Sequence, residues 1–190
     1  MPMMDHTVPW VGLVMRSESL DGLPEFALPP EYGWRGFMPG DEKNWVRIAM
    51  SAGEFETCDA AIAGFRRYFP ADDPLDARML FLTDGGVPFA TATAWFGEDD
   101  HSHEEGRLHW VAVDEGHQRR RLSYPLVSLA MRRLRELGHR TAYLTTQTAS
   151  WPAIKVYRHF GFSPLIRDAG EVEGWRIVSE KTGLDFLKDM

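Results

Sequence analysis

The sequence predicts one domain of mixed α and β structure, of the α/β or α+β class. Three observations carry this. The 190 residues are 44% hydrophobic and 26% charged, the balance of a globular chain able to build a core. From Leu108 to Phe162 the pattern runs strand, turn, helix, strand, helix. No apolar run approaches the roughly 20 residues that would span a bilayer.

The elements follow in chain order. Val11 to Met15 (VGLVM) is a short apolar strand. Pro24, Pro29 and Pro30 punctuate a loop that leads to a second strand, Trp34 to Met38. Asp41 is placed to cap a helix in which Trp45, Ile48 and Ala49 share a face. A second helix runs from Thr57 to Phe69 and stops at Pro70. Ala77–Thr83 and Val87–Phe96 read as strands joined by a turn at Asp84-Gly85-Gly86. Leu108–Val113 reads as a strand buried on both faces.

The strongest helix follows. Leu122, Leu126, Leu129, Ala130, Leu134 and Leu137 form one stripe, with Pro125 in the first turn and Gly138 beyond the end. A strand at Thr141–Thr146 leads to a helix at Ser150–Phe160, which stops at Gly161. Final strands are expected at Pro164–Arg167 and Trp175–Val178, and a short amphipathic helix over the last ten residues.

Charge and cysteine narrow the function. There are 28 acidic against 21 basic residues, a net charge of -7. That argues against general nucleic-acid or anionic-membrane binding, which needs Lys and Arg. Cys58 is the only cysteine, so no internal disulfide can form; it is expected to pack in a helix in a protein of the cytoplasm. The first twenty residues have no basic start and no small-residue cleavage site, so no signal peptide is expected. His101 and His103 lie among acidic residues, but without a second ligand cluster the stretch reads as a solvated loop and not a metal site.

Against this acidic background, Arg119, Arg120 and Arg121 stand in a row between a buried strand and the start of the strongest helix. A helix N-terminus offers free N–H groups and partial positive charge, and arginines there add ion pairs to phosphate. Here VAVDEGHQRRRLSYPL resembles the acyl-CoA-binding motif of the GNAT superfamily of N-acetyltransferases. Val113 matches its strand valine and Gln118 its first loop residue, while Arg121 and Ser123 stand in the places of its two small residues. SWPAIKVYRHFGF resembles the second family segment, with Ala153, Tyr157, Gly161 and Phe162 in register and Ser150 in the asparagine place.

The resemblance covers residues 77 to 165 well and the earlier part loosely. It implies one GNAT-like domain over 1–190, with 1–33 as an N-terminal strand and loop. The fold would be α+β in three layers, a mixed and mostly antiparallel sheet flanked by helices and splayed at the acyl-CoA site. It implies acetyl-CoA as co-substrate, no metal, and a small-molecule or peptide amine as acceptor, in a monomer or homodimer. Val111, Val113, Gln118, Arg119, Arg120, Arg121, Leu122, Ser123, Ser150 and Ala153 would hold the co-substrate. Arg121 is expected to keep a negative φ, since a Cβ now occupies the place of a glycine.

For the chemistry, Tyr157 would be the acid, a phenol protonated at neutral pH. His109 is the first candidate base, placed by strand alternation on one face with Val111 and Val113. Glu54 and Glu56 are the reserve bases. The alternative activity is a catalytically weak or inactive acyl-CoA sensor of the same fold.

Overall fold

Seven strands and six helices arise where these patterns lie, in a computed structural model that describes residues 4–70, 73–97 and 104–188. The strands are β1 (Gly12–Ser17), β2 (Tyr32–Gly36), β3 (Met79–Asp84), β4 (Val87–Phe96), β5 (Glu105–Val113), β6 (Thr141–Gln147) and β7 (Ser163–Pro164). The helices are α1 (Glu42–Ser51), α2 (Cys58–Tyr68), α3 (Leu75–Arg78), α4 (Ser123–Glu136), α5 (Trp151–His159) and α6 (Ala169–Thr182). The sheet order is β2-β3-β4-β5-β6-β1-β7, and β5 with β6 is its parallel pair. The expected mixed, mostly antiparallel sheet is therefore present.

Two apolar layers cover it. On one face Leu126, Ala130 and Leu134 of α4, Ile154 of α5, and Trp175 and Val178 of α6 pack on Leu80, Leu82, Leu108 and Leu13. On the other, Trp45 and Ile48 of α1 and Phe65 of α2 pack on Phe81 and Ala112. The stripe on α4 is therefore its buried face, and shortening Leu134 to alanine would cost about 2–5 kcal/mol. Between β3 and β4, Gly85 and Gly86 both have positive φ, as a tight two-residue hairpin turn of type I′ requires.

Several expectations are corrected. Ala77 and Arg78 belong to the one-turn helix α3, and the strand starts at Met79. Asp41 precedes α1 but makes no side-chain cap; its carboxylate takes two hydrogen bonds from Arg35 and others from Met38 N and Asn44. Cys58 opens α2 exposed: it lies on the same stripe as Ala61 and Phe65, but in the first turn, where it lines the open groove between α1 and α2. The strand expected at 164–167 ends at Pro164, and Trp175–Val178 is helical, inside α6.

The reason for α6 lies upstream. Asp168 accepts from Gly170 N and Glu171 N, and Glu171 accepts from Arg167, so both ends of a DAGE signal are used. Gly174 then lets the helix sit against β1, where a Cβ would come within 2.9 Å of Val11 and Leu13. The helix ends at Thr182, two residues into the last ten, and residues 183–188 form no helix of their own; Gly183 follows with φ 70°. His101 and His103 lie outside the described residues. Among those described, no helix is long and apolar enough to cross a membrane.

Candidate active site

β5 and β6 pair only at Glu105–Thr141, Gly106–Ala142 and Arg107–Tyr143. Beyond Arg107 the strands part, β5 staying with β4 and β6 with β1. A bulge accompanies the parting. Two β5 residues, Trp110 and Val111, stand opposite the single Ala92, and Trp110 takes φ 47°. An extra residue bends the strand, increases its twist and reverses the alternation that follows.

That reversal corrects the expected face of His109. Val111 and Val113 join the α4 side, while His109 packs among Tyr68, Phe69 and Trp95 on the α1–α2 side. Strand alternation fails here because Trp110 uses up one extra position.

Two cavities open at the parting. The first, of 390 Å³, is lined by Val113, Gln118, Arg119, Arg121, Leu122 and Ser123 on one side and Trp151 to Tyr157 residues on the other. The second, of 210 Å³, holds Glu54, Tyr68, Arg107, His109, Thr145 and Gln147 among its walls. Val111, Ala153 and Tyr157 line both, so the cavities meet there. A larger groove of 1280 Å³ between α1, α2 and α3 shares no residue with either, and is not part of this site.

The first cavity is floored by the loop from Asp114 to Leu122. Gln118 Nε2 donates to Val113 O at 3.0 Å, which fixes the turn leaving β5. His117 Nδ1 lies 2.6 Å from Asp114 Oδ1 and the ring stacks on Phe89. Ser51 Oγ, at the end of α1, accepts from Glu115 N at 3.0 Å, and Arg47 Nη1 lies 3.6 Å from Asp114 Oδ2. The backbone N–H groups of Arg119, Arg120, Arg121, Leu122 and Ser123 find no acceptor among the described residues.

Arg119 and Arg121 have φ 64° and 60°, so the negative φ expected of Arg121 is corrected. The left-handed conformation that glycine usually supplies is kept by arginine, at roughly 1–2 kcal/mol for each such residue. Left-handed residues alternating with ordinary ones turn successive N–H groups into one concavity, which suits an anion. The open N-terminus of the fourteen-residue α4 faces the same way. Arg120 differs from its neighbours. It donates to Tyr32 Oη and Gly116 O and does not line the cavity.

In the second cavity, burial raises the Glu54 carboxyl above its ordinary value. Tyr157 is also buried, and burial, then the charge of Glu54, raises its phenol, so the hydroxyl stays protonated. For His109 the effect runs the other way. Burial, then the Arg107 charge, lowers its imidazole to about 3. It is neutral near pH 7 and holds a proton too weakly to take one from an amine.

Of the residues read from the sequence, Val113, Gln118, Arg119, Arg121, Leu122 and Ser123 meet in the first cavity. His109 and Ser150 lie in the second, where Ser150 Oγ accepts from Gln147 Nε2. Val111, Ala153 and Tyr157 lie at the junction. Glu56 is exposed and lines neither. Tyr68, Arg107, Thr145, Thr146 and Gln147 were not read as site residues. Only polarity at the end of β6 and the lone arginine in β5 could have hinted at them.

Comparisons agree with this geometry. Residues 43–162 match the acetyltransferase (GNAT) family. The chain is 33% identical over 153 residues to the mycothiol acetyltransferase of Actinosynnema mirum, covering 79% of this chain and 50% of that protein. It thus spans about half the length of the curated relative it matches. A GCN5-related N-acetyltransferase from Sphaerobacter thermophilus superposes with a TM-score of 0.62 at 20% identity, over 81% of this chain and 48% of that one. An acetyltransferase of the GNAT family from Colwellia psychrerythraea gives 0.62 at 11% identity, over 83% and 54%. At such identities these two speak for the fold alone.

Proposed function

This chain belongs to the GNAT acetyltransferase family, and from that premise we propose that it moves an acetyl group from acetyl-CoA to a primary amine of a small molecule or peptide. One observation carries the reading: two cavities on either side of the parted strands meet at Tyr157. Such an arrangement suits two substrates that react where they touch.

The residues of the first cavity fit the co-substrate. Five N–H groups without partners, a helix N-terminus and the arginines Arg119 and Arg121 would hold its pyrophosphate. The β5 edge released by β6 offers backbone groups at Val111 and Val113 for the pantetheine arm.

The acceptor enters from the second cavity. Glu54 takes the proton that the amine must lose, and a carboxyl raised by burial is the stronger base for it. The amine nitrogen bonds to the thioester carbonyl carbon, and the carbon–sulfur bond breaks. Tyr157 gives its hydroxyl proton to the departing sulfur and is reprotonated from solvent. The products are an amide and a free thiol. Glu54 takes precedence over His109 as base, because His109 stays neutral down to about 3.

The test is release of CoA thiol from acetyl-CoA across a panel of amino acids, peptides, polyamines and amino sugars. Release with at least one of them is expected. Acetyl-CoA binding without release for any amine would instead make the chain a non-catalytic acyl-CoA binder.

A further inference from the structure

The second cavity contains a cation that no carboxylate among the described residues pairs with. Arg107 lines it, at the last residue pair that β5 shares with β6. Its Nη2 donates to Thr145 Oγ1 at 2.8 Å, and its guanidinium lies 5.5 Å from the Tyr143 ring centre. Its Nε is buried with no hydrogen-bond partner. Among the described residues no ion pair reaches Arg107. The nearby carboxylate of Glu105 is turned to Arg16 at 3.0 Å.

A guanidinium that lines a cavity and meets no carboxylate among the described residues matches a carboxylate brought by a ligand, which can accept two parallel N–H groups at once. The same small space carries Glu54, so its charges are one positive and one negative. A free polyamine would bring a second cation toward Arg107, whereas a zwitterion would satisfy both groups. Resting on the acetyltransferase reading, we propose that the acceptor is an amine bearing a carboxylate, of the amino-acid class, and that Arg107 selects it by binding that carboxylate while the amine sits at Glu54 and Tyr157.

The experiment compares L-methionine, L-leucine and glycine with their C-terminal amides and with spermidine. Thiol release from acetyl-CoA is measured, and binding to the CoA-loaded protein is followed by calorimetry. The acids should exceed their amides by roughly 10- to 100-fold in kcat/KM. Arg107→Gln should abolish that preference through KM, and Arg107→Lys should restore part of it. An unchanged thermal shift with acetyl-CoA would show that the variants fold.

Equal acids and amides, or an Arg107→Gln loss shared by both, would overturn the proposal. If a variant fails to fold, the acid-to-amide ratio of the unaltered protein decides. Thiol release with amides or spermidine alone would leave the activity standing and sink the role of Arg107. Acid-selective binding without any thiol release would do the reverse. Neither release nor selective binding would sink both.

Discussion

The cavity beside the loop 114–122 is made largely of backbone, whereas the cavity beside Glu54 is made of side chains. In the first, unpaired N–H groups and a helix end face the opening, and the side chains of Arg120 and Gln118 are occupied in holding the loop. In the second, Glu54, Arg107, Thr145 and Tyr157 supply the polar atoms. A backbone site tolerates changes of sequence as long as the chain path survives. A side-chain site does not, so under the proposed function choice of acceptor and proton transfer would fall to the second cavity.

The largest effect should come from Glu54. Glu54→Gln is expected to lower kcat by about 10²- to 10⁴-fold while leaving the acetyl-CoA dissociation constant unchanged. Burial raises this carboxyl, so kcat of the unaltered protein should rise with pH through a value above 4.5, and that limb should vanish in the variant. Loss of acetyl-CoA binding in Glu54→Gln, seen by calorimetry, would break the separation of the two cavities.

Tyr157 stands between them, and Tyr157→Phe removes only the hydroxyl. Steady-state kinetics should show kcat reduced by about 10²-fold with both Michaelis constants little changed. Unchanged turnover would reduce Tyr157 to a wall shared by two cavities.

His109 should act on stability. Its folded value of about 3 lies below the ordinary 6.5, so the neutral form is favoured by folding. That contribution is complete above 6.5 and is lost as pH falls toward 3. Between pH 7 and pH 4 it amounts to about 3 kcal/mol, which denaturant unfolding should detect and His109→Gln should remove.

The smallest effect should fall on the loop. Arg119 is exposed, and Arg119→Gly removes one screened charge while relieving a left-handed residue. The acetyl-CoA dissociation constant should move by no more than about threefold at physiological salt. A hundredfold loss would mean that the side chain, and not the backbone, holds the pyrophosphate.

The same contrast explains what the sequence could disclose. The first cavity comes from two nearly continuous stretches, 111–127 and 151–157, whose valine, glutamine, alanine and tyrosine spacing can be read along the chain. The second gathers Tyr68, Arg107 and Thr145 from three separate elements and Glu54 from the loop after α1, and no spacing announces that they meet. The strands and the α4 stripe were legible because periodicity is local. The face of His109 was not, because one bulged residue at Trp110 is a tertiary choice. The helix at Trp175 was missed because the short run WRIV, three of its four residues apolar, outweighed the DAGE cap before it.

The hydrogen bond from Glu115 N to Ser51 Oγ ties the loop to the end of α1, and Glu54 follows Ser51 by three residues. The two cavities therefore share a mechanical joint besides a wall. A ligand that stiffens the loop also steadies the segment carrying Glu54, and linkage makes the favour mutual: each substrate strengthens the other by the same factor.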